Sequence, residues 1–252
     1  MKDSDHDRLK EIEEKIKAKD YGENVFGVSD GVICFDEYTD KKTKYKILWI
    51  LREPYESDKI KENINKEKVG GWSLASALNK RESWEQTVKS KGGVQTYRKL
   101  IQTTYAILNT DGNDGFKKNS YKKDFDYLKK VACINVKKMP GKSNSKDKVI
   151  LQHYLRDTSQ GGTGFLKQQI KLIDPDIIIY GGTFKYFKKN HFKEELPAPK
   201  KLNNTNSFLK KGNYYIIDGK LHIDTYHPSC RMKDECYSNN ISRAVKKWEN
   251  QI

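Results

Sequence analysis

Four short apolar segments constrain the fold of this chain more than any other feature of its 252-residue sequence. They occupy residues 46–51, 131–136, 176–180 and 221–226. Each is a nearly continuous apolar run, which is typical of parallel strands that are buried on both faces of a sheet. We therefore predict four strands in the interior of the protein, covered by helices on both sides.

Predicted helices lie between and after these strands. Residues 94–108 repeat apolar side chains along one helical face, and residues 165–173 form a second helical segment. The second helix is expected to end where Asp174 precedes Pro175, because the residue before a proline avoids the helical conformation. A third helix is predicted over residues 241–252. This alternation predicts an α/β fold, a three-layer α/β/α sandwich with a central, mainly parallel four-stranded sheet.

The length of the chain is compatible with one domain that buries a substantial core. We predict a single domain over residues 1–252. Within it, residues 1–44 are expected to form an N-terminal appendage that packs on the core. The appendage would contain a helix over residues 7–18 and a hairpin that includes a strand-like run at residues 31–38.

The charge of the chain favours an anionic partner. The sequence has 49 Lys and Arg residues against 34 Asp and Glu residues, a formal net charge of +15. Because Lys and Arg displace counterions from a phosphate backbone, nucleic acid is the first candidate, and a basic surface that only maintains solubility is the alternative. The charged first ten residues do not resemble a signal sequence, and no apolar run approaches the ~18 residues of a membrane span. We expect a cytoplasmic protein without membrane contact.

The four cysteines show no pattern of a metal site or a disulfide framework. Cys34, Cys133, Cys230 and Cys236 are scattered without CxxC spacing. We therefore expect neither a zinc ion nor disulfide bonds.

Polar motifs follow or overlap the predicted strands. They read LREPYES at 51–57, CINVKKMPGKSN at 133–144, QIKLIDPDIIIYGGT at 169–183 and TYHPSCR at 225–231. Ligands of parallel sheets bind at the carboxyl ends of the strands, where these motifs fall. In this order, and over residues 45–232, the motifs resemble the uracil-DNA glycosylase superfamily.

The resemblance implies a monofunctional DNA glycosylase that flips a pyrimidine out of DNA and hydrolyses its N-glycosidic bond. Glu53 aligns with the acid that activates the attacking water, and His227 aligns with the histidine that stabilises the departing base at O2. The other interpretation of Glu53 is an exposed acid paired with Arg52. Leu51 and Arg52 replace the Gly and Gln of the family motif. The base therefore remains open between uracil, as in repair, and a modified pyrimidine, as in defence against phage.

The resemblance also supplies candidates that would bind the flipped base. Asn135 aligns with the residue whose amide reads the Watson–Crick edge, since an amide offers both a donor and an acceptor. Trp72 is the candidate for stacking on the base, with Tyr55 as the alternative. Packing of Trp72 on the core at the start of a helix is the competing interpretation.

Contacts to the DNA are expected from two loops. Ser143 or Lys142 in the second motif and Ser229 in the fourth would contact phosphates. Arg231 or Met232 would enter the duplex beside the flipped nucleotide, the former by charge and stacking and the latter as an apolar wedge. Ordinary surface positions are the alternative for these two residues.

Two other functions compete with that of a glycosylase. A catalytically inactive glycosylase-like protein that binds DNA would keep the fold and the basic groove but lack turnover. A nucleotide-binding enzyme of the Rossmann type is disfavoured, because no GxGxxG follows the first strand.

Some branches of the resembled superfamily hold an iron–sulfur cluster, but Met139 stands near the position of one expected ligand. We expect an enzyme that acts as a monomer on duplex or single-stranded DNA, with no metal and no cofactor.

Overall fold

The computed structural model describes residues 3–54, 69–79, 91–109, 125–141, 145–159, 161–190, 197, 199–201 and 213–251. The strands in these residues are β1 (Gly31–Val32), β2 (Ile47–Leu51), β3 (Val131–Asn135), β4 (Ile177–Gly181), β5 (Lys200–Lys201), β6 (Asn213–Ile217) and β7 (Lys220–Thr225). The helices are α1 (Asp3–Ala18), α2 (Phe35–Thr39), α3 (Leu74–Asn79), α4 (Lys91–Leu108), α5 (Asp126–Lys129), α6 (Asp147–Thr158), α7 (Phe165–Ile173), α8 (Phe184–Asn190) and α9 (Asp234–Glu249).

The strands form one mixed sheet in the order β1-β3-β2-β4-β7-β6-β5. Strands β3, β2, β4 and β7 run parallel at its centre. They are the four strands predicted from the apolar runs. Strands β1, β6 and β5 extend the sheet through antiparallel pairs at its two edges. The predicted four-stranded sheet is therefore wrong: the described residues form seven strands, and the sheet is mixed.

Helices cover both faces of the sheet. Alternate strand residues such as Trp49 and Ile179 join a buried cluster that contains side chains of α4 and α9. Their neighbours Ile50 and Ile178 join a second cluster, which contains side chains of α1, α6, α7 and α8. Burial of both faces explains why β2 and β4 are nearly continuously apolar and why β3 is apolar up to Asn135. No helix in the described ranges combines the length and apolar composition that crossing a bilayer requires.

The N-terminal segment joins the sheet in a way that the sequence pattern did not predict. Helix α1 spans the predicted helix at 7–18, and its apolar residues pack into the second cluster. The strand predicted at 31–38 is wrong beyond Val32, because helix α2 follows at Phe35–Thr39. Acidic residues in the first turn of α2 favour a helix start over an extended chain. In the described part of this segment, an isolated antiparallel bridge joins Asp20 and Phe26, and β1 pairs with β3.

Strands β6 and β7 form a hairpin that was not predicted. Asp218 and Gly219 connect them, with φ angles of 51° and 75°. Two consecutive residues with positive φ are typical of the tight turns that join antiparallel strands, and Asp-Gly is a favoured sequence for them. This hairpin fixes β7 beside β4 and thereby positions the chain that leaves β7 at Thr225.

Candidate active site

The four central strands deliver polar residues to one edge of the sheet. Leu51 at the end of β2 lies opposite Asn135 at the end of β3, and Gly181 of β4 lies opposite Thr225 of β7. Glu53 and His227, which each follow a strand by two residues, therefore leave the sheet at the same edge. Only β4 separates β2 from β7, so the axes of these two strands are about 10 Å apart.

Glu53 is held by two side chains from the β3 side of this edge. Nζ of Lys137 lies 2.8 Å from Oε2 of Glu53, and the hydroxyl of Ser145 donates to the same oxygen at 2.6 Å. The side chains of Glu53 and Lys137 are only 10% and 6% exposed. Among the described residues, no donor contacts Oε1 of Glu53. The protein therefore fixes Oε2, whereas Oε1 has no donor from the described part of the chain.

Gly141 makes room for this carboxylate. A Cβ atom at position 141 would lie 1.8 Å from Oε2 of Glu53 and 2.8 Å from Nζ of Lys137. The backbone N–H of Gly141 donates to the carbonyl of Pro54 at 3.0 Å, which ties the loop after β3 to the loop after β2. The glycine of the second motif is thus required by the close approach of the first motif.

Arg52 does not pair with Glu53. Its guanidinium instead donates to Oδ1 of Asp147 and to the carbonyl of Ser145, both at 2.7 Å. Lys185 and Tyr186 also contact the Asp147 carboxylate. The hydrogen bond from Lys185, together with that from Arg52, lowers the pKa of Asp147 to about 2. The interpretation of Glu53 as an exposed acid paired with Arg52 is therefore wrong.

His227 is held as a neutral imidazole with a defined tautomer. The backbone N–H of Ser229 donates to its Nδ1 at 3.2 Å, and the hydroxyl of Ser229 lies 2.8 Å from the same nitrogen. Because Nδ1 accepts a hydrogen bond, the ring proton resides on Nε2. Burial, assisted by the nearby charges of Arg52 and Lys99, lowers the pKa of His227 to about 4. The ring thus offers a neutral N–H donor at neutral pH.

The glycines after β4 accommodate the His227 loop. A Cβ on Gly181 would lie 2.8 Å from Cδ2 of Leu51 and 3.0 Å from Cδ of Pro228. Gly182 has a φ of 72°, and a Cβ there would lie 3.4 Å from the backbone nitrogen of His227. The N–H of Gly182 already donates to Thr225 and Tyr180 carbonyls. Tight packing therefore accounts for both glycines, and the N–H of Gly182 is satisfied within the protein.

Helix α4 fixes the same loop from the other side. Nζ of Lys99 donates to the carbonyl of Cys230 at 2.6 Å, and the amide of Gln95 donates to the same oxygen at 2.7 Å. Lys99 is fully buried, and its ammonium lies 5.2 Å from the centre of the Tyr237 ring. In the described ranges, no carboxylate pairs with Lys99. The loop that carries His227 is thus anchored by a buried positive charge.

Asn135 belongs to a buried polar network. Its backbone N–H and its side-chain amide donate to Oδ2 of Asp30 at 2.7 and 3.2 Å. Lys138 donates to the other oxygen of Asp30 at 2.6 Å and to Gln169 at 2.7 Å. Asn135 is 1% exposed, so its burial is explained by Asp30 without a ligand. Recognition of a base by Asn135 stays a prediction.

Of the candidates for stacking, only Trp72 lies in the described part of the chain. Trp72 is partly buried and packs against the first hydrophobic cluster, just before α3. Gly70 and Gly71 precede it with positive φ, and a Cβ on Gly70 would lie 2.1 Å from the carbonyl of Phe26. The core-packing interpretation of Trp72 is therefore consistent with its position, and stacking stays a prediction. Tyr55 lies outside the described residues.

The predicted DNA contacts fall into three groups. Ser143 and its alternative Lys142 lie outside the described residues. Ser229 is exposed but bonds His227, so its observed role is to orient the imidazole. Arg231 is exposed, whereas Met232 is partly buried against the first hydrophobic cluster. Insertion of Arg231 or Met232 into a duplex stays a prediction.

Three residues at the site were not predicted from the sequence. They are Lys137, Ser145 and Lys99, which hold Glu53 and the His227 loop. A pair of lysines directly after an apolar strand was a usable signal for Lys137, because the carboxyl end of a parallel strand is where ligands bind. Lys99 gave no such signal.

The described residues of the site form no cluster of metal ligands. Among the residues that the structure describes, no three His, Cys, Asp or Glu side chains are grouped so that they could hold a metal ion. All four cysteines are free thiols, and burial raises the pKa of Cys133 far above its usual range.

Comparison with protein-family models finds no match for this chain, and comparison with curated proteins finds none either.

Proposed function

We propose that this protein is a monofunctional DNA glycosylase that flips a pyrimidine, uracil or a modified pyrimidine, out of DNA and hydrolyses its N-glycosidic bond. The observation that carries the proposal is the state of His227. A neutral imidazole whose Nδ1 is occupied by Ser229 presents its Nε2–H at the same sheet edge as the Glu53 carboxylate. This pairing of a donor and an anion matches the two charges that develop when the bond breaks.

His227 would act on the departing base. As the glycosidic bond lengthens, its electron pair moves onto the base and negative charge accumulates on O2 of the pyrimidine. A preorganised donor in a partly buried site stabilises such a charge without giving up its proton. Because the pKa of His227 is about 4, the ring stays neutral at physiological pH and acts as a hydrogen-bond donor instead of an acid.

Glu53 would act on the sugar and the water. The carboxylate stabilises the positive charge that develops on the sugar, as in other glycoside hydrolases. Lys137 and Ser145 hold Oε2, which leaves Oε1 to accept a hydrogen bond from the attacking water. Attack of that water at C1′ completes the hydrolysis, and its proton leaves through Glu53. The products are a free base and an abasic site.

The charge and the fold support the same proposal. A net charge of +15 suits a polyanionic partner, and helices on both faces of a parallel sheet centre agree with the three-layer architecture of the resembled superfamily. On this proposal the protein acts as a monomer in the cytoplasm, in repair or in defence against phage. It requires no metal or redox cofactor, because the two side chains supply the charges that the reaction needs.

A cleavage assay tests the proposal. Duplex and single-stranded oligonucleotides that carry uracil, hydroxymethylcytosine or glucosylated hydroxymethylcytosine are incubated with the protein and then treated with alkali, which breaks the strand at abasic sites. We expect breaks at one or more of these bases with the wild-type protein. Glu53→Gln and His227→Ala are each expected to lower the rate by about 100-fold or more.

Control variants separate these effects from general damage. Glu37→Gln removes a carboxylate that pairs with Lys130 at the opposite end of the sheet, and His6→Ala removes a histidine stacked on Phe35. Both are expected to retain wild-type cleavage. Retarded DNA in gels without breaks at any of the bases would instead support the alternative function, a glycosylase-like protein that binds DNA without turnover.

A further inference from the structure

A cavity of about 240 Å³ adjoins the candidate active site on its β3 side. Its wall includes Val136 and Lys138, the two neighbours of Lys137 in the chain. Helix α6 supplies a second wall with His153 and Arg156, and the segment after α1 supplies Lys19 and Tyr21. The charges of Lys137 and Glu53 both influence the pKa of His153. The cavity therefore lies within electrostatic range of Glu53.

The cavity is rich in donors that the protein does not use. In the described part of the chain, no acceptor contacts the side chains of Lys19, Tyr21, His153 or Arg156. Burial is the main cause that lowers the pKa of His153 to about 4 and raises that of Tyr21 to about 12, so both groups are neutral at pH 7. A neutral imidazole and a phenol each carry a hydrogen to donate. Two cations and two neutral donors therefore line one concavity.

The acidic residue in the wall, Asp157, forms no ion pair with these cations. Both oxygens of Asp157 face the first turn of α7, where they accept from the N–H groups of Phe165 and Leu166 at 2.9 and 3.1 Å. The hydroxyl of Thr163 donates to Asp157 as well. The third cation of the wall, Lys138, is paired with Asp30. Lys19 and Arg156 are therefore the cations of the wall that form no ion pair with a described residue.

The loop after α6 lines the cavity and packs closely against the end of that helix. A Cβ on Gly162 would lie 2.3 Å from the carbonyl of Arg156 and 2.5 Å from that of Asp157, so only glycine allows the loop to approach the helix so closely. Gly161 has a φ of 78°, which also favours glycine. In the described ranges, the N–H groups of Gly161 and Thr163 donate to no protein acceptor. Backbone donors thus add to those of the side chains.

From this arrangement we propose that the cavity is a binding site for a phosphoryl group. A phosphoryl group offers several acceptor oxygens and up to two negative charges, which match the several donors and the two cations that form no ion pair. A carboxylate carries one charge and two oxygens, and would leave donors unused. The group comes either from a phosphodiester of bound DNA or from a free phosphate. The DNA source rests on the proposed function, whereas the site itself does not.

Two binding measurements distinguish the sources. The first is titration calorimetry with inorganic phosphate in phosphate-free buffer, with the His153 ring resonances followed by NMR to locate the binding. The second is anisotropy of a fluorescent uracil-containing duplex over a range of salt concentrations. Both compare the wild type with Arg156→Gln and Lys19→Gln. Lys171→Gln, an exposed lysine on α7 outside the cavity wall, is the matched control for lost charge.

If a phosphodiester of bound DNA occupies the cavity, Arg156→Gln should weaken binding of the duplex about tenfold and reduce the slope of log K against log salt by about one. The Lys171→Gln control should change both quantities less. If the cavity binds free phosphate, Arg156→Gln should weaken the affinity for inorganic phosphate about tenfold and abolish the shift of the His153 resonances. Binding of the duplex should not change. In either case, Lys19→Gln should change the affinities in the same direction as Arg156→Gln.

The proposal is overturned if both variants bind phosphate and duplex as the Lys171→Gln control does. That result would leave the glycosylase proposal intact, because base excision is measured separately through alkali-sensitive sites. Conversely, a phosphate affinity that depends on Arg156 would support the cavity even if no base were excised. Thermal unfolding of each variant checks that the fold is retained.

Discussion

Nζ of Lys137 lies 2.8 Å from Oε2 of Glu53, although the two residues are 84 positions apart in the chain. Both side chains are almost fully buried, and Ser145 completes the contact. Loss of one partner would leave the other charge in a poorly solvated site, which is more costly than loss of an exposed ion pair. The pair therefore fixes the position of Glu53 at the carboxyl end of β2.

Lys137→Met is accordingly expected to lower the free energy of unfolding by about 3 kcal/mol. Urea denaturation measures this change. Lys185→Met removes an exposed pair with Asp147 and is expected to cost at most about 1 kcal/mol. The double variant Lys137→Met, Glu53→Gln should be destabilised by less than the sum of the single changes. Strictly additive effects would mean that the two side chains do not interact.

Gly141→Ala tests the steric requirement beneath Glu53. The added methyl group would occupy the position of Oε2, so the carboxylate must move. Displacement of a catalytic group by about 1 Å reduces turnover by about 100-fold, and we expect that loss in excision with little change in affinity for DNA. Gly31→Ala is the control, because its Cβ meets only the end of the Glu13 side chain. Equal activity of both variants would contradict the steric requirement for glycine at position 141.

The pKa of His227 predicts a specific pH dependence of stability. An unfolded histidine titrates near pH 6.5, whereas folded His227 titrates at about 4. Between these values the unfolded chain binds the extra proton, so the free energy of unfolding falls as the pH is lowered from about 6.5 to about 4. His153 contributes in the same direction, since its pKa is also lowered to about 4.

Denaturation of the wild type and of His227→Gln at pH 7, 6, 5 and 4 measures this effect. The wild type should lose more stability than the variant over this range. A histidine ring titration by NMR should place the midpoint of His227 well below 6. A midpoint near 6.5 would show that His227 is solvated and charged in weak acid, contrary to its role as a neutral donor.

Lys99→Met removes the buried charge that anchors the His227 loop. The pKa of His227 should rise, because burial and Arg52 would remain but the charge of Lys99 would not. The carbonyl of Cys230 would lose the hydrogen bond from Lys99 and retain that from Gln95, so we expect slower excision with the fold retained. The His227 titration and the single-turnover rate measure the two effects. Lys171→Met, which alters an exposed lysine on α7, should change neither.

The centre of the fold could be predicted from the sequence because its strands are buried on both faces. Strands β2, β3 and β4 are almost entirely apolar, and β7 carries Leu221 and Ile223 between polar residues. Short apolar runs of this kind are typical of strands buried on both faces. Strand β6 was missed although Asp218 and Gly219 form a favourable hairpin signal after it. Helix α2 was mistaken for strand because its five residues are too few to show a helical period.

The candidate site could be predicted only in part. Glu53 and His227 follow strands that could be recognised, and their common edge follows from parallel pairing. Lys99, Lys137 and Lys138 are buried, which the sequence does not reveal because lysine is ordinarily exposed. Their burial depends on partners distant in sequence, such as Cys230, Glu53 and Asp30. The network around Asn135 was missed for the same reason.

The most direct test of the central claim is mass spectrometry of free bases released from DNA in single-turnover reactions. Glu53 and His227 are predicted to act together on one flipped nucleotide, so the wild type should release a pyrimidine. Each of Glu53→Gln and His227→Ala should lower the rate of release by about 100-fold or more. No release from uracil-containing or modified DNA by the wild type, or undiminished release by both variants, would contradict the account.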